Sequence, residues 1–206
     1  MRNAKQRIRV ASGLGLWLMS CLAIGQDAWT ESYSSESTGQ YDAAIVALAP
    51  ILEAQPDHQF ALLRTAWLEY LDGDLNASIR SYRLAIDLDE NSLDAQLGIT
   101  LPLLAQRRWR EAAAASEAVL AIAPWNYYAH VRLMVAEEGL RQWQRLASHA
   151  REVFARYPTD ATILVYLARA EARQGNVEAA LSAYSAVLER APSHEEAGSF
   201  IARNSN

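Results

Sequence analysis

Five stretches of this chain begin at a fixed interval of 34 residues. They are GQYDAAIVALAPILEAQP from Gly39, GDLNASIRSYRLAIDLDE from Gly73, RRWREAAAASEAVLAIAP from Arg107, RQWQRLASHAREVFARYP from Arg141 and GNVEAALSAYSAVLERAP from Gly175. Each is 18 residues long and no insertion breaks the register. A period held this strictly restricts the chain to architectures in which one small unit is stacked repeatedly. A single unit cannot bury its apolar face alone, so neighbouring units must share a continuous core. The unit is helical: valine, isoleucine and threonine never alternate over a strand's length, while alanine, leucine, arginine and glutamate recur throughout.

Within the period, each slot has a physical reason. Gly39, Gly73 and Gly175 suit the left-handed conformation that ends a first helix. Arg107 and Arg141 stand in the same slot and predict turns that are strained or that stay longer in the helix. Small residues open the second helix at Ala44, Ser78, Ala112 and Ala180, which lets two helices approach closely. A bulky slot follows at Leu48, Tyr82 and Tyr184, then a small or β-branched one at Ala85, Val119, Val153 and Val187. Pro56, Pro124, Pro158 and Pro192 close four units, with Glu90 in the corresponding place of the second. Proline cannot continue a helix interior and so forces a link to the next unit.

This pattern resembles the tetratricopeptide repeat, over about residues 26 to 194. The resemblance implies an all-α, right-handed α-solenoid of five 34-residue helix-turn-helix repeats plus a short C-terminal capping helix. Units are expected at about 25–58, 59–92, 93–126, 127–160 and 161–194, with the cap at 195–206. Departures are expected to mark the local structure. Pro102 falls inside a first helix and should kink it. Leu146 and Met134 replace small residues in unit four, so its helices should stand further apart. The serine-rich DAWTESYSSEST is the most polar of the first helices.

Residues 1–25 read as an export segment rather than part of the solenoid. Arg2, Lys5, Arg7 and Arg9 precede an apolar run from Val10 to Gly25, short for a membrane span of about 20 residues. Ala23-Ile24-Gly25 suits ordinary cleavage before Gln26. Alternatively, Leu18 to Cys21 resembles a bacterial lipobox, with Cys21 lipidated and the signal ending at residue 20; a retained anchor is a third reading. Cleavage before Gln26 removes four of the 19 basic residues and none of the 24 acidic ones, leaving a net charge of −9 and no cysteine. An acidic surface argues against nucleic acid and anionic lipid as partners, so membrane contact is expected only through a lipid anchor.

PWNYYAH, from Pro124 to His130, raises the question of a ligand cage. The period places it at the joint between units three and four, which makes it a seam. In tetratricopeptide proteins one face of each first helix lines a concave groove. Laid on this sequence, that face selects Phe60, Leu63, Trp67, Tyr70, Leu97, Leu101, Leu104, Tyr128, Val131 and Val135, then Val165 and Arg169. Phe60, Leu63, Trp67 and Tyr70 share one helical stripe, while Leu62, Ala66 and Leu68 form a second. Two apolar faces on one helix mean either full burial or an exposed binding surface.

Catalytic arrangements are not legible. The histidines at 58, 130, 149 and 194 are scattered, and no pair has chelating spacing on one helix. There is no phosphate-binding glycine loop, nucleophile elbow or cysteine nucleophile in the solenoid. The Glu-Glu pairs at 137–138 and 195–196 read as solvated charges, and RRWR at 107–110 as a basic turn or a docking point for an acidic partner. The arginine–asparagine set with which some members of the family clamp a terminal carboxylate is missing. The expected protein is therefore not an enzyme and carries no cofactor or metal. It is expected to be a scaffold of the bacterial cell envelope, periplasmic or outer-membrane-associated, binding a peptide or helix of another envelope protein. The alternative is an accessory protein of polysaccharide export or outer-membrane assembly that handles glycan.

Overall fold

The computed structural model describes residues 27–204, which form eleven helices and no strand. The export segment and Cys21 lie outside the described residues. In order the helices are α1 (27–37), α2 (Tyr41–Ala54), α3 (Gln59–Asp72), α4 (Leu75–Leu88), α5 (Leu93–Ala105), α6 (Trp109–Ile122), α7 (Tyr127–Gly139), α8 (Trp143–Arg156), α9 (Ala161–Arg173), α10 (Val177–Arg190) and α11 (Glu195–Asn204). From α3 on, every second helix starts 34 residues after the previous one, through α11. Consecutive helices pack together, and first helices also touch across units, α3 on α5, α5 on α7 and α7 on α9. The result is an α-solenoid. None of the described helices is long and apolar enough to cross a membrane.

Two local devices recur with the period. Each first helix from α3 on is capped by the side chain just before it. His58, Ser92, Asn126, Asp160 and His194 accept from the backbone N–H of Ala61, Ala95, Ala129, Ile163 and Ala197. Each turn inside a unit contains one residue with positive φ: Gly39 (74°), Gly73 (91°), Arg107 (58°), Arg141 (57°) and Gly175 (81°). The two arginines therefore adopt the glycine conformation, the strain that their slot predicts. Proline is not what stops the second helices. α4 ends at Leu88 although Glu90 stands in the proline's place. There Asp89 turns extended, and its carboxylate accepts from Asn91 N–H at 3.0 Å. Nor does Pro102 end α5, which runs on to Ala105.

The core lies between the helix layers. The small slot is buried at Ala44, Ser78, Ala112 and Ala180, and the bulky slot at Leu48, Tyr82 and Tyr184. The buried hydroxyl of Ser78 donates to Ala66 C=O at 2.7 Å, so the slot stays polar-satisfied. Gly98 on α5 gives Tyr82 its place. A methyl group there would fall 2.2 Å from Cε1 and 2.5 Å from Cζ of that ring. In unit four, Leu146 and Met134 are fully buried, and α7 and α8 hold their backbones further apart than α3–α4, α5–α6 or α9–α10.

The wider gap in unit four also admits polar side chains, which corrects two readings from sequence. Glu137 is not a solvated charge: it is 1% exposed. His130 and His149 are not scattered but lie 2.9 Å apart, ring nitrogen to ring nitrogen. In the second Glu-Glu pair, Glu196 is held by Arg169 at 2.6 Å and by the Tyr184 hydroxyl at 2.6 Å, tying the cap helix to unit five.

Candidate functional site

Helix α3 builds an apolar cleft. Its residues Phe60, Leu63, Arg64 and Trp67 recur at three- and four-residue spacing and so share a stripe. With Tyr33 of α1, Tyr82 of α4 and Asp94 of α5 they line a cleft of about 290 Å³. Phe60 is 51% exposed; Leu63 and Trp67 are half-buried. Tyr70 continues the stripe, its ring 5.7 Å from that of Trp67. The second apolar stripe, Leu62, Ala66 and Leu68, is buried. The two faces of α3 thus divide between core and cleft.

The floor of this cleft is held by charge. The Arg64 guanidinium lies over the Tyr33 ring at 3.5 Å and donates to Ser32 Oγ at 3.0 Å and to Glu36 Oε2 at 2.9 Å. The other oxygen of Glu36 accepts from Trp67 Nε1 at 2.9 Å. One carboxylate on the serine-rich α1 therefore orients both the arginine and the indole. The burial of Tyr82 pushes its phenol up to about 12 and keeps it neutral at physiological pH.

Further along the row of first helices, Leu97, Leu101, Leu104, Val131 and Val135 are partly exposed and Tyr128 is 63% exposed. Val165 is buried and faces the core. Arg132 of α7 reaches back to α5, where its guanidinium donates to the Leu97 carbonyl and to Thr100 Oγ1 at 2.9 Å. Burial pulls its pKa down, against the pull of the Tyr82, Tyr70 and Tyr128 phenols. Among the described residues, Arg132 has no carboxylate within ion-pair distance, unlike Arg64 and Arg169.

The far end of the row differs in chemistry. A cleft of about 430 Å³ is lined by Glu138, Arg169, Ala172, Arg173, Tyr184, Glu196, Phe200 and Arg203. Arg169 pairs there with Glu196 and, at 3.4 Å, with Glu138. The first-helix face is thus apolar and aromatic in units one to three and charged at unit five.

The structure gathers Phe60, Leu63 and Trp67 in one cleft, with Tyr70 beside it. It leaves Leu97, Leu101, Leu104, Tyr128 and Val131 along α5 and α7. Sequence reasoning missed Tyr33, Glu36, Arg64, Arg132 and Asp94. A signal for two of them was present, since Arg64 and Arg132 occupy one slot two periods apart, with Gly98 between. Of the PWNYYAH aromatics only Tyr127 packs into the seam, while Trp125 and Tyr128 stay exposed. The Tyr157 hydroxyl donates to Trp125 C=O at 2.7 Å, and Tyr127 meets the rings of Tyr128 and Tyr157 edge-on. The basic turn at 107–110 is partly neutralised, Arg108 and Arg83 both pairing with Glu111. Among the described residues, no group of three or more His, Cys, Asp and Glu side chains is placed to hold a metal ion.

Comparison with known proteins agrees with this geometry. No curated protein matches the chain. Solved structures of the same shape include MamA 41-end from Desulfovibrio magneticus RS-1, at 18% identity and a TM-score of 0.77, covering 84% of this chain and 97% of that one. TTC0263, a tetratricopeptide protein of Thermus thermophilus, is 17% identical with a TM-score of 0.59, covering 87% and 97%. YrrB, described as a tetratricopeptide protein with an unusual peptide-binding site, is 21% identical with a TM-score of 0.65, covering 78% and 84%. At such identities these likenesses concern the fold. The family model for the tetratricopeptide repeat matches residues 36–92 and 136–195, more than half of the chain. With its 34-residue register, its stacked helix pairs and this match, the chain belongs to the tetratricopeptide repeat family.

Proposed function

We propose that this protein is a non-enzymatic scaffold of the bacterial cell envelope that binds a peptide or helix of a partner protein along its first-helix face. The observation that carries the reading is the aromatic cleft of units one to three, where Phe60 and Trp67 stay accessible above a floor fixed by Glu36 and Arg64. Large aromatics in such a position carry a disproportionate share of interface energy. Arg132, half-buried and with no carboxylate within ion-pair distance among the described residues, adds a place for one acidic group of the partner midway along the face. A peptide-binding site in YrrB supports the same use of this fold. Five of the seven residues lining the cleft are apolar or aromatic, which favours a peptide or helix over a glycan.

Export to the envelope rests on the basic start and apolar run before Gln26. Intact mass of the native protein should show a chain starting at Gln26. A diacylglycerol adduct on Cys21 would make it a lipoprotein, and the full 206-residue mass would rule out both the cleaved and the lipidated form.

The binding experiment uses photo-crosslinkers in the native cell. One at Tyr128 on the first-helix face is expected to capture a partner, and one at the exposed Val46 of α2 is not. Trp67→Ala should weaken capture over tenfold, about 2 kcal/mol or more, with the thermal melt lowered only modestly. Capture from Val46 alone would place binding on the outer face and end the proposal.

A further inference from the structure

A chain of three hydrogen bonds ties α7 to α8 in unit four and both to the end of unit three. It starts at the Pro124 carbonyl in the loop from α6 to α7, 3.0 Å from Nε2 of His130. Nδ1 of His130 lies 2.9 Å from Nε2 of His149 on α8, and Nδ1 of His149 lies 2.9 Å from Glu137 Oε2, back on α7. His130 and Glu137 are buried, and His149 is nearly so.

Counting protons along the chain determines its state. A carbonyl only accepts, so His130 Nε2 carries hydrogen. A neutral His130 then accepts at Nδ1, and His149 must donate from Nε2. His149 must also donate from Nδ1 if Glu137 is a carboxylate. The three bonds are complete with one proton more than two neutral imidazoles and a carboxylate possess. For all three bonds to form at once, that proton must lie between His149 and Glu137. We infer that this chain is a pH-sensitive latch, which holds α7 against α8 in unit four and is opened by acid at the His130–His149 link.

The link fails because a second proton on Nδ1 of His130, unlike one on the free oxygen of Glu137, makes two N–H groups face each other across 2.9 Å and sets two imidazolium rings side by side. The groups facing His130 are His149 and Glu152 of α8, Glu137 of its own helix and the Trp125 ring, 5.8 Å away. Glu137 in turn has Arg145 Nε of α8 2.9 Å from Oε1, off the line of a hydrogen bond, and Arg145 also pairs with Glu117 of α6. Burial, aided by His149, holds the pKa of His130 below the ordinary imidazole value, against the Pro124 bond and the two carboxylates. A base with a depressed pKa stabilises the fold fully above its unfolded value, about 6.5, and this contribution is lost as the pH falls below it.

Unit four is where such a latch has leverage. Leu146 and Met134 hold α7 and α8 apart, so polar bonds supply part of what close backbone packing supplies in the other units. Loosening α7 would move Tyr128 and Val131, whatever ligand that face takes. The reading is independent of the partner's identity.

The test is an NMR titration of the four histidine rings of the full chain, with amide exchange at pH 7.5 and 5.5 corrected for intrinsic rates. His130 is expected as the Nε2–H tautomer at pH 7.5, titrating below about 6.5. Protection of residues 127–156 should fall at least tenfold more than that of 161–190. His130→Gln, which cannot titrate, should remove the difference. If that variant does not fold, the wild-type data decide alone. His130 titrating at or above the ordinary imidazole value, or equal loss of protection in both segments, would overturn the latch.

Discussion

Replacing Arg141 with glycine should make this protein more stable, although it deletes a side chain and adds none. Arg141 sits at φ 57°, in the turn between α7 and α8, and its equivalent Arg107 at φ 58° between α5 and α6. Holding an L-residue with a Cβ in this region costs about 1–2 kcal/mol. Both side chains are exposed, and neither makes an ion pair among the described residues, so little is lost with them. Glycine returns about 0.4–1 kcal/mol to the unfolded chain as extra freedom. The net gain is about 0.5–1 kcal/mol at each site. The sites are a full period apart and share no partner, so the double variant should gain about 1–2 kcal/mol. The reciprocal change, Gly175→Arg, should lose about 0.5–1 kcal/mol, because its φ is 81°. Urea unfolding followed by circular dichroism at 222 nm reads all four proteins. An Arg→Gly double variant no more stable than the parent, together with a neutral Gly175→Arg, would show that the turns carry no strain.

Three other substitutions test packing and charge. Gly98→Ala should destabilise by about 1–3 kcal/mol in a thermal melt despite alanine's better helix propensity, because the new methyl falls within 2.2–2.8 Å of Tyr82 ring and hydroxyl atoms. Ala180→Leu should cost a similar amount by forcing α9 and α10 apart, since Ala180 is fully buried; a neutral melt would remove the close-approach argument for unit five. Glu196 has its pKa lowered, chiefly by the Arg169 hydrogen bonds. The stabilisation it gives is present above the ordinary carboxylate range and is lost as the pH falls through its lowered value. Exchange of the α11 amides should therefore rise in acid before that of α10, and Arg169→Gln should erase that order.

The helical period was readable without coordinates, because it arises from local demands repeated at one interval. A residue able to adopt positive φ must end each first helix, a small residue must open each second, and a side-chain acceptor must cap each next first helix. Gly39 and Ala44 announce the first two roles by their chemistry, while the capping role of Ser92 emerged from the structure. Arg107 and Arg141 were legible as strain only because the register placed them on glycine's slot. The cleft was half legible. The stripe of Phe60, Leu63, Trp67 and Tyr70 follows from helical spacing, but nothing local says which of two apolar faces on α3 stays open. That was decided by α2 and α4 packing over Leu62, Ala66 and Leu68 in the stack. The polar contacts were out of reach of any spacing rule. Glu36 meets Trp67 across 31 residues, and His130 meets His149 across 19. Those distances in sequence carry no period, since each pair joins different slots of the repeat. Whether Glu137 meets water or an imidazole depends on how far apart α7 and α8 stand. Leu146 and Met134 set that distance, and only the packed structure shows what fills it.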